Sequence, residues 1–172
     1  MSNTEIHPGT TMETILHGIP AAQRALFQRY HIGGCSSCGY QPSDSLAKVC
    51  KDHNILDVNE VITFLHHAHE LDQKIQLPPT QVKTWLDTSE DFSFIDVRSG
   101  DELESGEFPP AELMDYDASE KYMELPKDRK IVFACQEGDR ALNVAAYFQG
   151  HGFTEVYCLK GGIAAWKEEV GV

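Results

Sequence analysis

The chain of 172 residues has a hydrophobic content of 41% and a formal net charge of −13, a composition that suits one large or two small globular domains. Residues 1–77 hold 5 Lys+Arg and 8 Asp+Glu, whereas residues 78–172 hold 9 and 19, so the negative charge is concentrated in the second part. A surface of this kind repels phosphate backbones, which argues against nucleic acid as a partner.

The sequence also argues against a membrane location. No run approaches the roughly 18 to 20 apolar residues that a bilayer-spanning helix needs, and residues 1–5, Met-Ser-Asn-Thr-Glu, lack the basic-then-apolar order of a signal peptide. We therefore expect a cytoplasmic protein. Five cysteines in such a chain indicate reactive or metal-binding thiols rather than a disulfide framework.

Helical periodicity predicts a small all-α domain over residues 1–72. A capping-box pattern at Thr10 opens the first predicted helix, and a second such pattern begins at Asp57 ahead of the last one. Ser43 or Asp44 is suited to cap the helix between them. The predicted domain is thus a bundle of short helices.

A Cys-x-x-Cys pair interrupts this domain. Cys35 and Cys38 lie in the glycine-flanked turn at residues 33–39, Gly-Gly-Cys-Ser-Ser-Cys-Gly. Two cysteines in an exposed turn have little packing purpose, so a chemical role is favoured. The pair is close enough to form a reversible disulfide or to ligate a metal.

Cys50 and His53 extend the metal hypothesis. Together with Cys35 and Cys38 they would complete a Cys3His set of the kind that zinc accepts, with an iron–sulfur centre as the neighbouring alternative. Both residues also fall on the apolar stripe of a predicted helix, and a packing role in the core is the favoured interpretation of this second pair.

The segment from about residue 10 to residue 67 resembles the small helical domains found beside hybrid-cluster proteins and iron–sulfur cluster repair proteins. In those domains a cysteine pair follows the second helix, as Cys35 and Cys38 do here. The resemblance implies that the pair is redox-active and connected with iron–sulfur metabolism.

A break is predicted at residues 73–79, where two consecutive prolines follow Leu77. Proline stiffens the chain and disfavours a helical conformation in the residue before it. We therefore predict a linker over 73–79 and a second domain over 80–172.

Cys135 is the candidate nucleophile of the second domain. It follows the apolar run at residues 131–134 directly and precedes a segment with helical apolar spacing. A loop between a strand and a helix directs backbone N–H groups and the positive end of the helix dipole at the sulfur, which favours the nucleophilic thiolate. The alternative is a buried, inert cysteine.

The loop after Cys135 supplies the candidate substrate-binding residues. These are Gln136, Glu137, Gly138, Asp139 and Arg140. Gly138 lets the chain turn sharply, and Arg140 can donate to a substrate or brace the loop. Asp96 and Arg98, at the end of an earlier predicted strand, are interpreted as an ion pair that supports the loop.

Several segments between about residues 77 and 170 resemble the rhodanese family of sulfurtransferases. They are Asp-Val-Arg at 96–98, the stretch 102–111, the cysteine loop at 135–140 and the Leu-Lys-Gly-Gly-Ile-Ala-Ala-Trp sequence at 159–166. The resemblance implies an α/β fold with a mostly parallel sheet and helices on both faces.

The same resemblance implies that Cys135 takes a sulfane sulfur from a donor as a persulfide and passes it to a thiol or protein acceptor, with no cofactor required. The acidic loop is a departure from thiosulfate-using members, which often carry basic residues there. A protein persulfide donor with a basic face is therefore expected rather than thiosulfate. Cys135 and Arg140 are also one residue closer along the chain than the cysteine and arginine of the Cys-x5-Arg loop in the related dual-specificity phosphatases, so the loop is too short for that phosphate-binding motif.

Two overall functions follow from these observations. In the first, Cys135 transfers sulfur and exchanges it with the Cys35/Cys38 pair. In the second, the protein is a non-catalytic delivery or docking module whose first domain holds zinc or an iron–sulfur centre. The sequence leaves the oligomeric state and the identity of donor and acceptor open.

Overall fold

A computed structural model describes residues 5–33 and 39–171, and the chain divides into two compact units, Met1–Gln73 and Lys74–Val172. The boundary falls at the start of the segment predicted as a linker. Within the described ranges, no helix combines the length and the apolar character that crossing a membrane requires.

The first unit is helical, as the sequence predicts. Its helices are α1 (Met12–Gly18), α2 (Ala22–Tyr30), α3 (Leu46–Asp52) and α4 (Val58–Ile75). Their apolar sides meet in one core, in which Met12, Ile15, Leu26, Leu46 and Leu65 are fully buried. α4 begins after Asp57, whose carboxylate accepts the backbone N–H groups at positions 59 and 60.

The N-caps of two helices differ from the predicted residues. Thr11 caps α1 where the pattern favours Thr10, and Ser45 caps α3 where positions 43 and 44 were favoured. Each observed cap has an extended backbone and accepts the N–H three residues later through its side-chain oxygen. The Thr10 hydroxyl accepts the N–H of His7 instead, so it is already engaged outside the helix.

Residues 73–79 are structured rather than a free linker. They contain the end of α4, the short strand β1 (Gln76–Leu77) and the first residue of α5 (Pro79–Asp87). Pro78 has an extended backbone and Pro79 occupies the first helical position. The backbone N–H at that position has no partner within the helix, so proline, which lacks it, costs no hydrogen bond there. The two prolines therefore lie at the start of a helix.

The second unit has the α/β fold that the sequence predicts. The remaining strands are β2 (Ser93–Asp96), β3 (Glu112–Leu113), β4 (Ile131–Ala134) and β5 (Val156–Leu159). They form a five-stranded sheet in the order β1-β5-β4-β2-β3, and every neighbouring pair is parallel. The remaining helices are α6 (Glu120–Met123), α7 (Asp139–Gly150) and α8 (Gly162–Glu169), with a 3₁₀ helix at Gly100–Ser105.

Helices cover both faces of this sheet. Alternate side chains of β4 point to opposite sides, so Phe133 packs in one core with Phe148 of α7, and Val132 packs in the other with Trp166 of α8. Because β4 is the middle strand, its carboxyl end opens at the centre of the sheet edge where α/β proteins bind ligands. Cys135 follows that strand end directly.

Candidate functional site

The thiol of Cys135 lies at the N-terminus of α7. Gly138 has a φ of 100°, which lets the loop curl back over the sulfur. The backbone N–H groups of Gly138 and Ala141 point at Sγ, at 3.2 and 3.3 Å. These donors and the helix dipole stabilise negative charge on the sulfur.

A cavity of about 350 Å³ opens over this loop. It is lined by Glu102, Cys135, Gln136, Glu137, Asp139 and Arg140. Cys135 is only 2% exposed but forms part of the cavity wall, so a reactant reaches the sulfur through this opening. The structure thus brings together the predicted loop residues, with Gly138 turning the backbone behind them.

Arg140 is held at the side of the cavity by its neighbours. Its Nη1 donates to Ser99 Oγ at 2.7 Å and to the Val97 carbonyl at 3.3 Å, and its guanidinium forms an ion pair with Glu102. Of its two predicted roles, bracing is the one these contacts serve. Since Arg140 is neutralised by Glu102, the exposed carboxylates of the loop leave the cavity with a net negative charge.

Sequence reasoning did not assign Ser99 or Glu102 to the site. A signal was present, because Ser99 and Glu102 form a capping box for the 3₁₀ helix that follows β2. That box fixes Glu102 where it meets Arg140. A capping-box pattern directly after the strand that carries Asp96 would have indicated that Glu102 lies near the site.

Asp96 and Arg98 form a buried ion pair at the end of β2. Arg98 is 1% exposed, and its Nε and Nη2 lie 2.9 and 2.7 Å from Asp96 Oδ2. Its Nη1 donates to Ser105 Oγ at 2.8 Å, and that hydroxyl lies 3.1 Å from the side-chain oxygen of Gln136. A chain of polar contacts therefore connects the ion pair to the reactive loop.

The N-terminus of α8 holds the other side of the loop. The carbonyls of Cys135 and Gln136 accept the N–H groups of Ile163 and Ala164 at 2.9 and 3.0 Å. Gly162 makes this approach possible, because a Cβ at that position would stand 2.4 Å from the Cys135 carbonyl oxygen, and its φ is +64°. These two bonds hold the start of the loop in place, directly before the Gly138 and Ala141 N–H groups that point at the sulfur.

Replacing Gly162 by alanine is expected to lower the rate of reaction at Cys135 by about tenfold to a hundredfold, because the added methyl group displaces the loop and misplaces the sulfur. The left-handed backbone at this position adds a stability cost of about 1 to 2 kcal/mol for alanine. Gly150→Ala is the matched control, since no atom lies within 4 Å of a Cβ there. Single-turnover rates, with circular dichroism to verify folding, make the comparison. Equal rates for both variants would contradict the assigned role of Gly162.

The other candidate residues lie in the first unit. Cys35 and Cys38 fall outside the described residues. Cys50 is 1% exposed within α3, where burial raises the pKa of its thiol, and His53 is the C-terminal cap of that helix. Cys50 packs in the core of the first unit with Leu46 and Val49, which supports the packing interpretation of this residue. Within residues 5–33 and 39–171, no three His, Cys, Asp or Glu side chains are grouped to hold a metal ion.

Comparison with known proteins covers the second unit. The family model of the rhodanese-like domain matches residues 78–169. A sulfurtransferase of Allochromatium vinosum is 35% identical over 82 residues, which cover 47% of this chain and 77% of that protein. A thiosulfate sulfurtransferase of Pseudomonas syringae is 28% identical over 93 residues, 54% of this chain and 86% of that protein.

A solved structure extends the comparison to the fold. The protein of unknown function from Rhodopseudomonas palustris, described as a possible tyrosine phosphatase, superposes with a TM-score of 0.50 at 23% sequence identity. The superposition covers 60% of this chain and 87% of that one. At this identity the likeness concerns the fold alone.

Proposed function

This chain belongs to the rhodanese-like domain family and is a sulfurtransferase, and we propose that Cys135 carries the transferred sulfur as a persulfide. The observation that supports the proposal is the position of Sγ, which receives two backbone N–H groups at the base of a cavity at the carboxyl end of β4. The same donors can hold the negative charge of a thiolate before transfer and of a persulfide after it.

The reaction proceeds in two displacements at sulfur. In the first, the Cys135 thiolate attacks the outer sulfur of a donor persulfide, a new S–S bond forms, and the donor leaves as a thiolate. In the second, an acceptor thiolate attacks the outer sulfur of the Cys135 persulfide and releases Cys135 as a thiolate. Each step exchanges one S–S bond for another, so the pair of steps needs no external oxidant or cofactor.

The charge of the cavity bears on the class of donor. Glu137 and Asp139 are exposed on its wall, and the one cation among its lining residues, Arg140, is paired with Glu102. This field disfavours a free dianion and favours a donor that brings positive charge. We therefore propose a protein persulfide donor with a basic face, and thiosulfate as a poor substrate.

Reversing one of these charges is expected to improve the use of thiosulfate. Glu137→Lys should raise kcat/KM for thiosulfate about five- to tenfold, because a repulsion near the sulfur becomes an attraction of about 1 kcal/mol. The gain should shrink as salt screens the charges. Glu168→Lys, at an exposed position of α8 that does not line the cavity, is the control. An unchanged kcat/KM in Glu137→Lys would show that loop charge does not select the donor.

Mass analysis tests the proposal. The reduced protein is incubated with thiosulfate, with mercaptopyruvate, or with a cysteine desulfurase and cysteine, and is then analysed intact and as peptides. One added sulfur atom on the peptide that contains Cys135 is the expected result, with the desulfurase as the best donor. No added sulfur from any of the three would overturn the persulfide proposal.

The same peptide analysis tests whether sulfur moves onward to the N-terminal cysteines. We propose that Cys135 passes sulfur to Cys35 or Cys38, because tethering gives the two sites an effective concentration of roughly millimolar when the chain between them can span the distance. The resemblance of this segment to redox-active cysteine domains supports the proposal. Sulfur on the Cys35/Cys38 peptide that depends on Cys135 is the expected result. Stoichiometric zinc or iron with no sulfur on that peptide would favour the alternative of a metal-holding module.

A further inference from the structure

A second cavity of about 450 Å³ adjoins the reactive loop. It is lined by Met114, Tyr116, Ser119, Glu120, Met123, Arg140, Asn143, Val144, Tyr147 and Phe148. Arg140 borders both this cavity and the one above Cys135. The two cavities are therefore neighbours, with the side chain of Arg140 between them.

The floor and walls of this second cavity, which we call the side groove, are mainly apolar. Methionine side chains from the segment after β3 and from α6 face Val144 and Phe148 of α7. Methionine adapts its shape to different partners, which suits a groove that receives a side chain from another molecule. Two tyrosines stand at the opening, with Tyr147 53% and Tyr116 47% exposed.

Tyr116 also fixes one wall of the side groove. Its hydroxyl donates to the Val97 carbonyl at 2.5 Å, the same carbonyl that receives Arg140. A tyrosine hydroxyl is protonated at neutral pH, and partial burial raises the pKa of Tyr116 further. The wall between the two cavities is thereby anchored to the end of β2, and the groove is formed before any partner arrives.

The rim of the side groove is negatively charged. Glu120 lines it, and Asp115 and Asp117 stand in the loop that leads to it. Lys121 is directed at acidic neighbours, since its Nζ lies 3.9 Å from both Glu112 and Asp115. Toward Cys135 the negative surface continues through the carboxylates of the reactive loop. An apolar floor with an acidic border is complementary to an apolar side chain flanked by lysine or arginine.

We propose that the side groove binds a basic segment of the sulfur-accepting protein, with one apolar side chain in the groove and the acceptor cysteine over Cys135. This inference rests on the proposed function and adds the class of acceptor. Basic residues beside the acceptor cysteine favour its thiolate, which is the species that attacks the outer sulfur of the Cys135 persulfide. The S–S bond of Cys135 breaks, a new one forms on the acceptor, and Cys135 leaves as a thiolate.

Binding is measured first, apart from the chemistry. The probe is a short fluorescent peptide with one leucine flanked by lysines and with serine in place of the acceptor cysteine. It is titrated into the 172-residue Cys135→Ser protein. Replacing the leucine by serine, or the lysines by glutamates, should weaken binding about tenfold each, and added salt should weaken the lysine peptide. Equal binding of the three peptides would overturn the proposal.

Transfer is measured next with the cysteine forms of the same peptides and with dithiothreitol as a small acceptor. Tyr147→Ala and Glu120→Lys should each lower the ratio of peptide kcat/KM to dithiothreitol kcat/KM, Tyr147→Ala about tenfold and Glu120→Lys about fivefold. Both positions are exposed, and circular dichroism verifies that the variants are folded. Glu168→Lys, which lies outside the side groove, should leave the ratio unchanged.

The binding and transfer experiments together distinguish failure of the persulfide proposal from failure of the side-groove proposal. If Cys135 takes no sulfur, the proposed function fails while the binding arm still tests the side groove. If Cys135 takes sulfur but the groove variants and the Glu168→Lys control give the same ratio, the proposed function stands and the acceptor site is elsewhere. A ratio that falls only for the two groove variants supports the proposal.

Discussion

Cys135→Ser should form no persulfide and should lose sulfur transfer by at least about a thousandfold, the scale expected when a covalent nucleophile is removed. A serine hydroxyl is far less acidic than a thiol, so it provides no anion to attack sulfur at neutral pH. The N–H groups of Gly138 and Ala141 would still be directed at this position, but they would have no thiolate to stabilise. Peptide mass analysis after incubation with a charged cysteine desulfurase measures the loss.

Cys158→Ala is the matched control for this variant. Cys158 is also a buried cysteine of the second unit, in β5, where its register partner in β4 is Phe133. Its truncation should cost about 1 kcal/mol of stability through lost packing and leave persulfide formation intact. A Cys135→Ser protein that still carried sulfur at the wild-type level in its second unit would show that another residue is the carrier.

Arg98→Leu should lower the free energy of unfolding of the second unit by about 3 to 5 kcal/mol. Removing one partner of a buried ion pair leaves the other charge without compensation, and Asp96 is 2% exposed. Since domains of this size are stable by only about 5 to 15 kcal/mol, the loss is large. Urea unfolding followed by tryptophan fluorescence reports the stability of the second unit specifically, because both tryptophans, Trp85 and Trp166, belong to it.

Two further variants distinguish this mechanism from simple loss of packing. Replacing Asp96 and Arg98 together by leucines removes both charges and should recover part of the lost stability, as neutral replacement of buried pairs often does. Asp87→Ala breaks the exposed pair with Lys83 and should cost less than about 1 kcal/mol. If the double variant were less stable than Arg98→Leu, charge burial would not be the cause of the destabilisation.

The α/β fold follows from the resemblance to the rhodanese family, and local patterns predicted the elements around Cys135. The apolar run before Cys135 became the central strand β4, and the spacing of Ala141, Val144, Ala145 and Phe148 became α7. The predicted pairing of Asp96 with Arg98 is present as a buried ion pair. These features depend on neighbouring residues along the chain, which a sequence displays directly.

Other parts of the site depend on residues that are distant in the chain. Glu102 meets Arg140 only because β2 and β4 are adjacent in the sheet. The close approach of Gly162 to the loop and the side groove between α6 and α7 likewise require the packed structure. Residues 73–79 illustrate a further ambiguity, because a pair of prolines is compatible both with a break between domains and with the first turn of a helix.

The position of α8 against the reactive loop has a consequence for biosynthesis. The carbonyls of the loop receive their N–H donors from residues 163 and 164. The strand β4 is flanked on one side by β5, which also lies later in the chain. A nascent chain that has emerged only as far as β4 therefore holds Cys135 on a strand whose flanking strand and capping helix are still missing. Because domains fold as units during translation, the reactive loop acquires its complete set of backbone contacts only after about thirty more residues have left the ribosome.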